Sequence, residues 1–103
     1  MSARYDGKPL LRLVDGFVLD AIGRLQADEE QALVALEPEM RQVTGAAGGW
    51  RQIVAAQMRF PDGLAAAIRE IWEKGRVKFV AAQGHEPDPV QFTRSFVDSK
   101  FPH

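Results

Sequence analysis

The sequence has no cysteine, and this absence alone excludes several kinds of protein. Without a thiol there is no disulfide scaffold, no thiolate nucleophile and no structural zinc site of the usual cysteine-containing type. Long apolar runs are missing as well: charged residues interrupt the stretch from 10 to 25, and no segment approaches the roughly 20 apolar residues that span a bilayer. We therefore expect a cytoplasmic protein without a signal peptide, a membrane-spanning segment or a membrane partner.

A charge excess of one sign is also missing. Thirteen basic residues stand against 14 acidic ones, and the formal net charge is -1. The densest basic stretch, residues 69–78, is diluted by Glu70 and Glu73, whereas nucleic-acid binders need several cations in contact with phosphates. The sequence therefore predicts no nucleic-acid partner.

Asparagine is absent, while alanine occurs 14 times and arginine 9 times against 4 lysines. This bias is typical of a GC-rich bacterial genome. Hydrophobic residues make up 46% and charged residues 26% of the 103 residues, which is the balance of one globular domain with one modest core. We expect a single domain over residues 1–103, with a loose N-terminal segment at 1–7.

Apolar residues recur at spacings of three and four along most of the chain, which predicts an all-α protein. Short connectors favour a compact bundle of about five helical segments. The predicted helices are a first from about Pro9 to Leu25, a second from an N-cap at Asp28 to a stop at Gly45, a third from Trp50 to about Arg59, a fourth from an N-cap at Asp62 to about Gln83, and a fifth from an N-cap at Asp88. An alternating pattern at 76–80 also fits a strand, but the chain offers no second strand to pair with it.

Pro38 lies inside the second predicted helix, where its ring lacks an N–H and collides with the carbonyl group of Val34. We therefore expect helix two to be bent or broken at Pro38. The amphipathic patterns also predict which large aromatic side chains are substantially buried. These side chains are Trp50, Trp72, Phe17 and Phe96.

Candidate catalytic groups are few. No serine lies in the G-x-S-x-G turn that exposes a nucleophile. His85, Glu86 and Asp88 are metal-ligand types within one loop, but Asp88 already serves as an N-cap, and metal sites need three or four ligands with supporting groups. We assign no catalytic residue, no cofactor and no metal ligand. An enzyme that uses arginine, glutamate and aspartate is the second alternative function.

Glycines before the third predicted helix suggest an anion site. Free N–H groups at a helix N-terminus attract anions, and Gly48 and Gly49 would let an anion approach while Arg51 adds positive charge. The loop lacks the lysine and the hydroxyl of a P-loop and follows no strand. A tight connector that passes close to Trp50 explains the same glycines.

The first predicted helix has an unusual second face. On a helical wheel, Arg12, Gly16, Leu19 and Gly23 lie opposite the apolar stripe. Each glycine inside a helix costs about 1 kcal/mol relative to alanine, so a flat surface here suits close contact with another backbone. That backbone belongs to a segment of the same chain, to a partner protein or to a second copy. We interpret these four residues as a contact surface.

The leading hypothesis is a non-enzymatic protein that acts through a protein–protein contact, with an unknown partner or as a homodimer. The first alternative is a protein that binds a small apolar or anionic ligand in a pocket between helices. Phe92, Phe96 and Phe101 in the last helix could line such a pocket, although packing in the core is the simpler explanation.

Overall fold

The structure is a computed structural model that describes residues 3–101. Within these residues it contains a short 3-10 helix at Ala3–Tyr5, five α-helices and no strand. The helices are α1 at Pro9–Ala21, α2 at Ala27–Thr44, α3 at Trp50–Met58, α4 at Leu64–Gln83 and α5 at Pro89–Lys100. The all-α prediction is confirmed, and residues 76–80 lie inside α4. The ends of the predicted domain, residues 1–2 and 102–103, lie outside the described part of the chain.

Several helix ends agree with the local sequence signals. α2 stops at Gly45 and α4 stops at Gly84, with φ angles of 73° and 77°. This left-handed conformation ends helices and disfavours any residue with a Cβ atom. α5 begins as predicted, because the Asp88 carboxylate accepts the N–H groups of Val90 at 2.8 Å and Gln91 at 3.4 Å.

The predicted end of the first helix is wrong. α1 ends at Ala21 rather than at Leu25, and Ile22 is its C-cap. Gly23 has a left-handed φ of 73°, which terminates the helical hydrogen bonding. Gly23 therefore lies beyond the helix rather than on one of its faces.

Two predicted N-caps are also wrong. α2 begins at Ala27 after Gln26, and Asp28 lies within its first turn, where an acidic side chain favours the positive end of the helix dipole. α4 begins after Gly63 rather than after Asp62, because Gly63 has a φ of 80° and reverses the chain direction.

Pro38 does not break α2, which is continuous from Ala27 to Thr44. Leu33 before the proline and Met40 after it are both buried, with exposures of 0% and 2%. Residues seven positions apart share one helix face, so the core anchors α2 on both sides of Pro38. This packing offsets the local cost of the missing hydrogen bond.

α1 lies at the centre of the bundle and packs against all four other α-helices. Residues 13–16 are buried without interruption, so this stretch has no solvent-facing side. The sequence pattern predicts one apolar stripe on α1, whereas the structure surrounds the helix. The core therefore forms around α1 and not between two amphipathic layers.

Trp50 and Trp72 are 1% and 2% exposed, which confirms their predicted burial. The prediction for Phe17 and Phe96 is too strong, because both rings are only partly buried and pack against the outside of the core. They belong to a row of rings whose neighbouring centroids are 4.7–6.0 Å apart. In order, these rings are Phe17, Phe60, Phe101, Phe96, Phe92 and Trp72.

A buried carboxylate in α1 binds Arg4 and Tyr5 of the N-terminal segment. Asp15 in α1 is 3% exposed. Arg4 donates to its two oxygens from Nε at 2.7 Å and Nη2 at 3.0 Å, and the Tyr5 hydroxyl donates at 2.7 Å. Arg4 Nη1 also donates to Asp98 of α5 at 2.9 Å. A buried charge without partners is costly, and Arg4 and Tyr5 supply the partners of Asp15. Through the bonds of Arg4, the 3-10 helix at Ala3–Tyr5 is connected to α1 and α5.

No helix in the described residues is long and apolar enough to cross a membrane.

The Tyr5 phenol reports on this N-terminal cluster. Burial, and then the hydrogen bond and the negative charge of Asp15, raise the pKa of Tyr5 from 10.0 to about 12. The folded state therefore holds the phenolic proton more tightly than the unfolded state does. The resulting stability is fully present below pH 10 and is lost as the pH rises through about 12.

We expect the tyrosinate absorbance of the folded protein to appear with a pKa of about 12. Tyr5 is the single tyrosine, so an ultraviolet titration measures this group alone. The substitution Asp15→Asn removes the adjacent negative charge and should lower the measured pKa. A native protein whose tyrosine titrates at the unperturbed value of 10.0 would contradict the geometry of this cluster.

Candidate ligand-binding cleft

The second half of α4 extends beyond the core. α4 has 20 residues, and its buried side chains, Ile68 and Trp72, lie in its first half. At a rise of about 1.5 Å per residue, Gln83 lies roughly 17 Å beyond Trp72 along the helix. The connector 84–88 then turns the chain back into α5. An open cleft therefore forms between the far half of α4 and the first turns of α5.

Two pairs of aromatic rings lie along this cleft. Trp72 of α4 and Phe92 of α5 meet edge to face, with ring centroids 5.0 Å apart. Phe79 of α4 and His85 of the connector do the same at 5.2 Å. Trp72 and Phe79 are seven residues apart, about two turns, so both project from one side of α4. The cleft therefore has aromatic walls at both ends.

The space between the two ring pairs is a cavity of about 660 Å³. Small-molecule sites typically enclose about 300–1,000 Å³ and combine apolar walls with a few polar groups. Here the apolar walls are the rings of Trp72, Phe79 and Phe92, and the polar side chains include Gln91 and Ser95 of α5. The cavity therefore has the size and the lining of a small-molecule site.

Gly75 leaves the α4 wall of the cavity open. It lies one turn after Trp72 and one turn before Phe79, and a Cβ atom at this position would meet nothing within 4 Å. Its φ angle is not left-handed, so the backbone does not need glycine here. The absence of a side chain at Gly75 therefore provides space and serves no turn or close contact.

Arg76 joins α4 to the connector across one side of the cleft. Its Nη1 lies 3.0 Å from Glu86 Oε1, and its Nη2 lies 3.1 Å from Glu73 Oε2. Hydrogen bonds first to Glu73 and then to Glu86 raise the pKa of Arg76 above its usual range. The guanidinium group is thus neutralised by two carboxylates, and the cleft offers no strong unopposed charge on this side.

His85 is held by the connector. Its Nδ1 lies 3.0 Å from the carbonyl oxygen of Glu86. A carbonyl oxygen can only accept a hydrogen bond, so Nδ1 is the donor. Gln91 and Ser95, which also line the cleft, carry both donors and acceptors for a polar substituent on a ligand.

The cleft does not assemble a nucleophile with its base. Ser95 and His85 both line it, but no hydrogen bond joins them in the described part of the chain. Asp88 accepts backbone N–H groups at the start of α5. Among residues 3–101, no group of three or more histidine, aspartate or glutamate side chains could hold a metal ion.

The predicted contact surface on the first helix is dispersed. Gly16 is buried, and a Cβ atom there would overlap the Leu33 side chain of α2 and lie 3.5 Å from Trp50 Cζ3 of α3. Leu19 is half-buried against the core. Gly23 lies beyond the helix in a left-handed conformation. At Gly16, therefore, the close neighbour is the same chain, one of the three possibilities for this surface.

Arg12, the fourth residue of that surface, pairs with α2. Its Nε lies 3.2 Å from Glu29 Oε1, and its guanidinium carbon lies 5.7 Å from the centre of the Tyr5 ring. Both contacts are within the chain, and Arg12 links the N-terminal turn to α2.

The chain's own side chains occupy the predicted anion site before α3. The Trp50 N–H donates to Glu37 Oε2 at 2.8 Å, and the Gly49 N–H donates to Gln52 Oε1 at 2.9 Å. Gly48 adopts a left-handed φ of 93° in the same connector. The Glu37 carboxylate of α2 therefore stands where we expected an external anion.

Arg51, the cation of that predicted site, is also engaged. It bonds to Asp20 of α1 at 2.9 Å and to Glu30 of α2 at 3.0 Å. The hydrogen bond to Asp20, and to a smaller extent the one to Glu30, raises the pKa of Arg51. Arg51 of α3 therefore links its own helix to α1 and α2.

The sequence predicts burial for Trp72 and assigns no binding site to Trp72 or Phe79. A signal was present, because Gly75 lies between them on the same face of a predicted helix. A glycine amid aromatic residues on one face, with no turn to justify it, marks a recess in that face. Comparisons with protein-family models, curated proteins and solved structures give no significant match.

Gly16 and Gly75 provide a matched test of these two environments. Gly16→Ala should lower the free energy of unfolding by about 1–3 kcal/mol, because the new methyl group overlaps the fully buried Leu33. Gly75→Ala should raise it by up to about 1 kcal/mol, because alanine is the better helix former and meets nothing. Urea titrations of both variants measure the difference. Two changes of the same sign would contradict the assignment of one site as packed and the other as open.

Proposed function

We propose that the protein is a non-enzymatic binding protein whose α4–α5 cleft holds a small molecule with a planar apolar body. The observation that carries the proposal is Gly75, which leaves space inside an aromatic-walled cavity. Glycine inside a helix costs about 1 kcal/mol relative to alanine. No contact with another described residue offsets this cost at Gly75, whereas a bound ligand would.

The lining supports a flat aromatic or unsaturated ring as the ligand body. Phe92, which packs edge to face on the buried Trp72, and the Phe79–His85 pair offer ring surfaces on both sides of the space. Offset and edge-to-face ring contacts are favourable beyond the area that they bury. Gln91 and Ser95 would orient one polar substituent. We propose that this ligand is a metabolite in the cytoplasm of a bacterial cell.

The structure weakens the argument for the leading hypothesis from the sequence, a partner or second copy on the first helix. That interpretation began from a flat helix face on which Leu19 lies between Gly16 and Gly23. Gly16 is instead covered by Leu33 and Trp50, and Gly23 lies outside α1. The α4–α5 cavity supports the small-ligand alternative, and we therefore rank it above the protein–protein contact.

Indole and naphthol are suitable first probes, because each is a planar apolar ring system and naphthol adds one hydroxyl group. Both should raise the midpoint of thermal unfolding, since a ligand that binds only the folded state stabilises it by mass action. Gly75→Leu places a side chain in the cavity and should weaken probe binding at least about tenfold, equivalent to about 1.4 kcal/mol. Calorimetric titration measures this loss.

Ala81→Leu is the matched control, because it adds the same helix-compatible side chain to an exposed position of α4 outside the cleft lining. It should bind the probes as the parent does. Equal binding by the Gly75→Leu variant, or no stabilisation of the parent by either probe, would overturn the proposal. Light scattering supplies a further check: a parent dimer that Gly75→Leu converts to a monomer would show that a second copy occupies the cleft.

A further inference from the structure

A second cavity lies at the other end of α5 and has a different lining. Its volume is about 400 Å³, and it is enclosed by the start of α1, the end of α2, Met58 of α3 and Phe101. We propose that this cavity binds a medium-chain monocarboxylate, with the acyl chain between the helices and the carboxylate beside Lys8. This site is separate from the α4–α5 cleft and does not depend on the function proposed for it.

The inner wall is suited to a flexible hydrocarbon chain. Leu10, Leu11 and Val14 of α1 face Met40 and Met58 across the cavity. Methionine side chains are unbranched and adaptable, and they fill irregular apolar spaces. In contrast to the α4–α5 cleft, this wall has one aromatic ring, Phe101, so it favours an alkyl chain over a planar ring system.

The inner wall also presents no polar group that lacks a partner. Thr44 is the hydroxyl-bearing residue of the lining. Its hydroxyl donates to the Met40 carbonyl oxygen at 2.6 Å and accepts the Ala46 N–H at 3.1 Å. The single proton of the hydroxyl is therefore used within the chain, so Thr44 offers a ligand no donor. A ligand with a hydrogen-bond acceptor along its body would lose hydrogen bonds to water without replacement.

An exposed valine marks the mouth of the cavity. Val43 is 72% exposed, the highest value among the exposed large hydrophobic side chains of the described residues. It lines the cavity together with Met40 and Thr44 of the same helix. An acyl chain that enters beside Val43 would cover this apolar surface, which is the main driving force for such binding.

Lys8 favours a ligand whose head group carries a negative charge. It is the charged side chain of the lining, and no ion pair or hydrogen bond engages its ammonium group in the described part of the chain. The first turn of α1, which follows Lys8, contains no acidic residue. Among residues 3–101 no ion pair neutralises this cation, and an apolar body with an anionic end matches the cavity in both shape and charge.

A chain-length series tests the apolar part of the proposal. Calorimetric titrations of the parent with hexanoate, octanoate, decanoate and dodecanoate, each below its micelle concentration, should show binding that tightens roughly fourfold per added methylene. The affinity should stop rising once the chain fills the cavity. Affinity that keeps rising through dodecanoate would indicate adsorption to the surface and would overturn the proposal, as would the absence of decanoate binding.

Two exposed residues test the head group and the mouth. Lys8→Gln should weaken decanoate binding roughly two- to fivefold, the range for one exposed charge pair, while leaving decanol binding unchanged. Val43→Glu places a negative charge at the mouth and should weaken decanoate binding further. The matched controls are Lys78→Gln and Val77→Glu, two exposed positions on α4 outside this cavity.

The controls should bind decanoate as the parent does. If Lys8→Gln and Val43→Glu also bind decanoate as the parent does, the assignment of the ligand to this cavity is wrong. Equal binding of decanoate and decyltrimethylammonium by the parent would contradict the role of Lys8. Naphthol binding should be unaffected by Lys8→Gln, so a failure of this inference and a failure of the proposed cleft are distinguishable.

Discussion

Gly16 lets α1 come close to both α2 and α3, with Leu33 and Trp50 packed where a side chain would otherwise stand. Protein interiors are close-packed and transmit small displacements. The separation of these three helices therefore sets where Met40 lies and how Arg51 reaches both Asp20 and Glu30. Because α4 and α5 pack on the remaining sides of α1, α1 contacts every other α-helix of the bundle.

The same residue type serves opposite purposes in α1 and α4. At Gly16 the missing side chain is replaced by a neighbour from the core, whereas at Gly75 nothing replaces it. The difference follows from position: α1 is surrounded, while the far half of α4 extends past the core. The cleft exists because α4 is longer than the core can cover, and α5 starts close enough to form a second wall.

The parts of the structure that the sequence predicts well are those determined by neighbouring residues. Asp88 and Pro89 begin α5 and Gly45 ends α2 because capping acts within a few residues. A helical wheel separates one apolar face from the rest and does not show how many neighbours surround a helix, so the sequence left open which backbone or side chain covers Gly16.

The sequence pattern does not predict the ion pairs between residues that are distant along the chain. Asp15 interrupts an apolar stretch, and its partner Arg4 is bonded in turn to Asp98. The cleft shares this difficulty. Trp72 and Phe79 can be placed on one face from spacing alone, but the distance to Phe92 depends on the path of the chain through the connector. Spacing therefore places Trp72 and Phe79 on one helix face without showing that a cavity lies beside them.

The central place of α1 has a consequence for how the chain is made. α1 is the first of the α-helices to leave the ribosome, and α5, which covers one of its sides, is the last. At roughly 5–20 residues per second, synthesis takes roughly 4–16 s to pass from α1 to α5. During that interval an apolar side of α1 stays uncovered. The contacts between α1 and α5 join distant parts of the chain, and such long-range contacts slow folding relative to bundles in which only neighbouring helices pack.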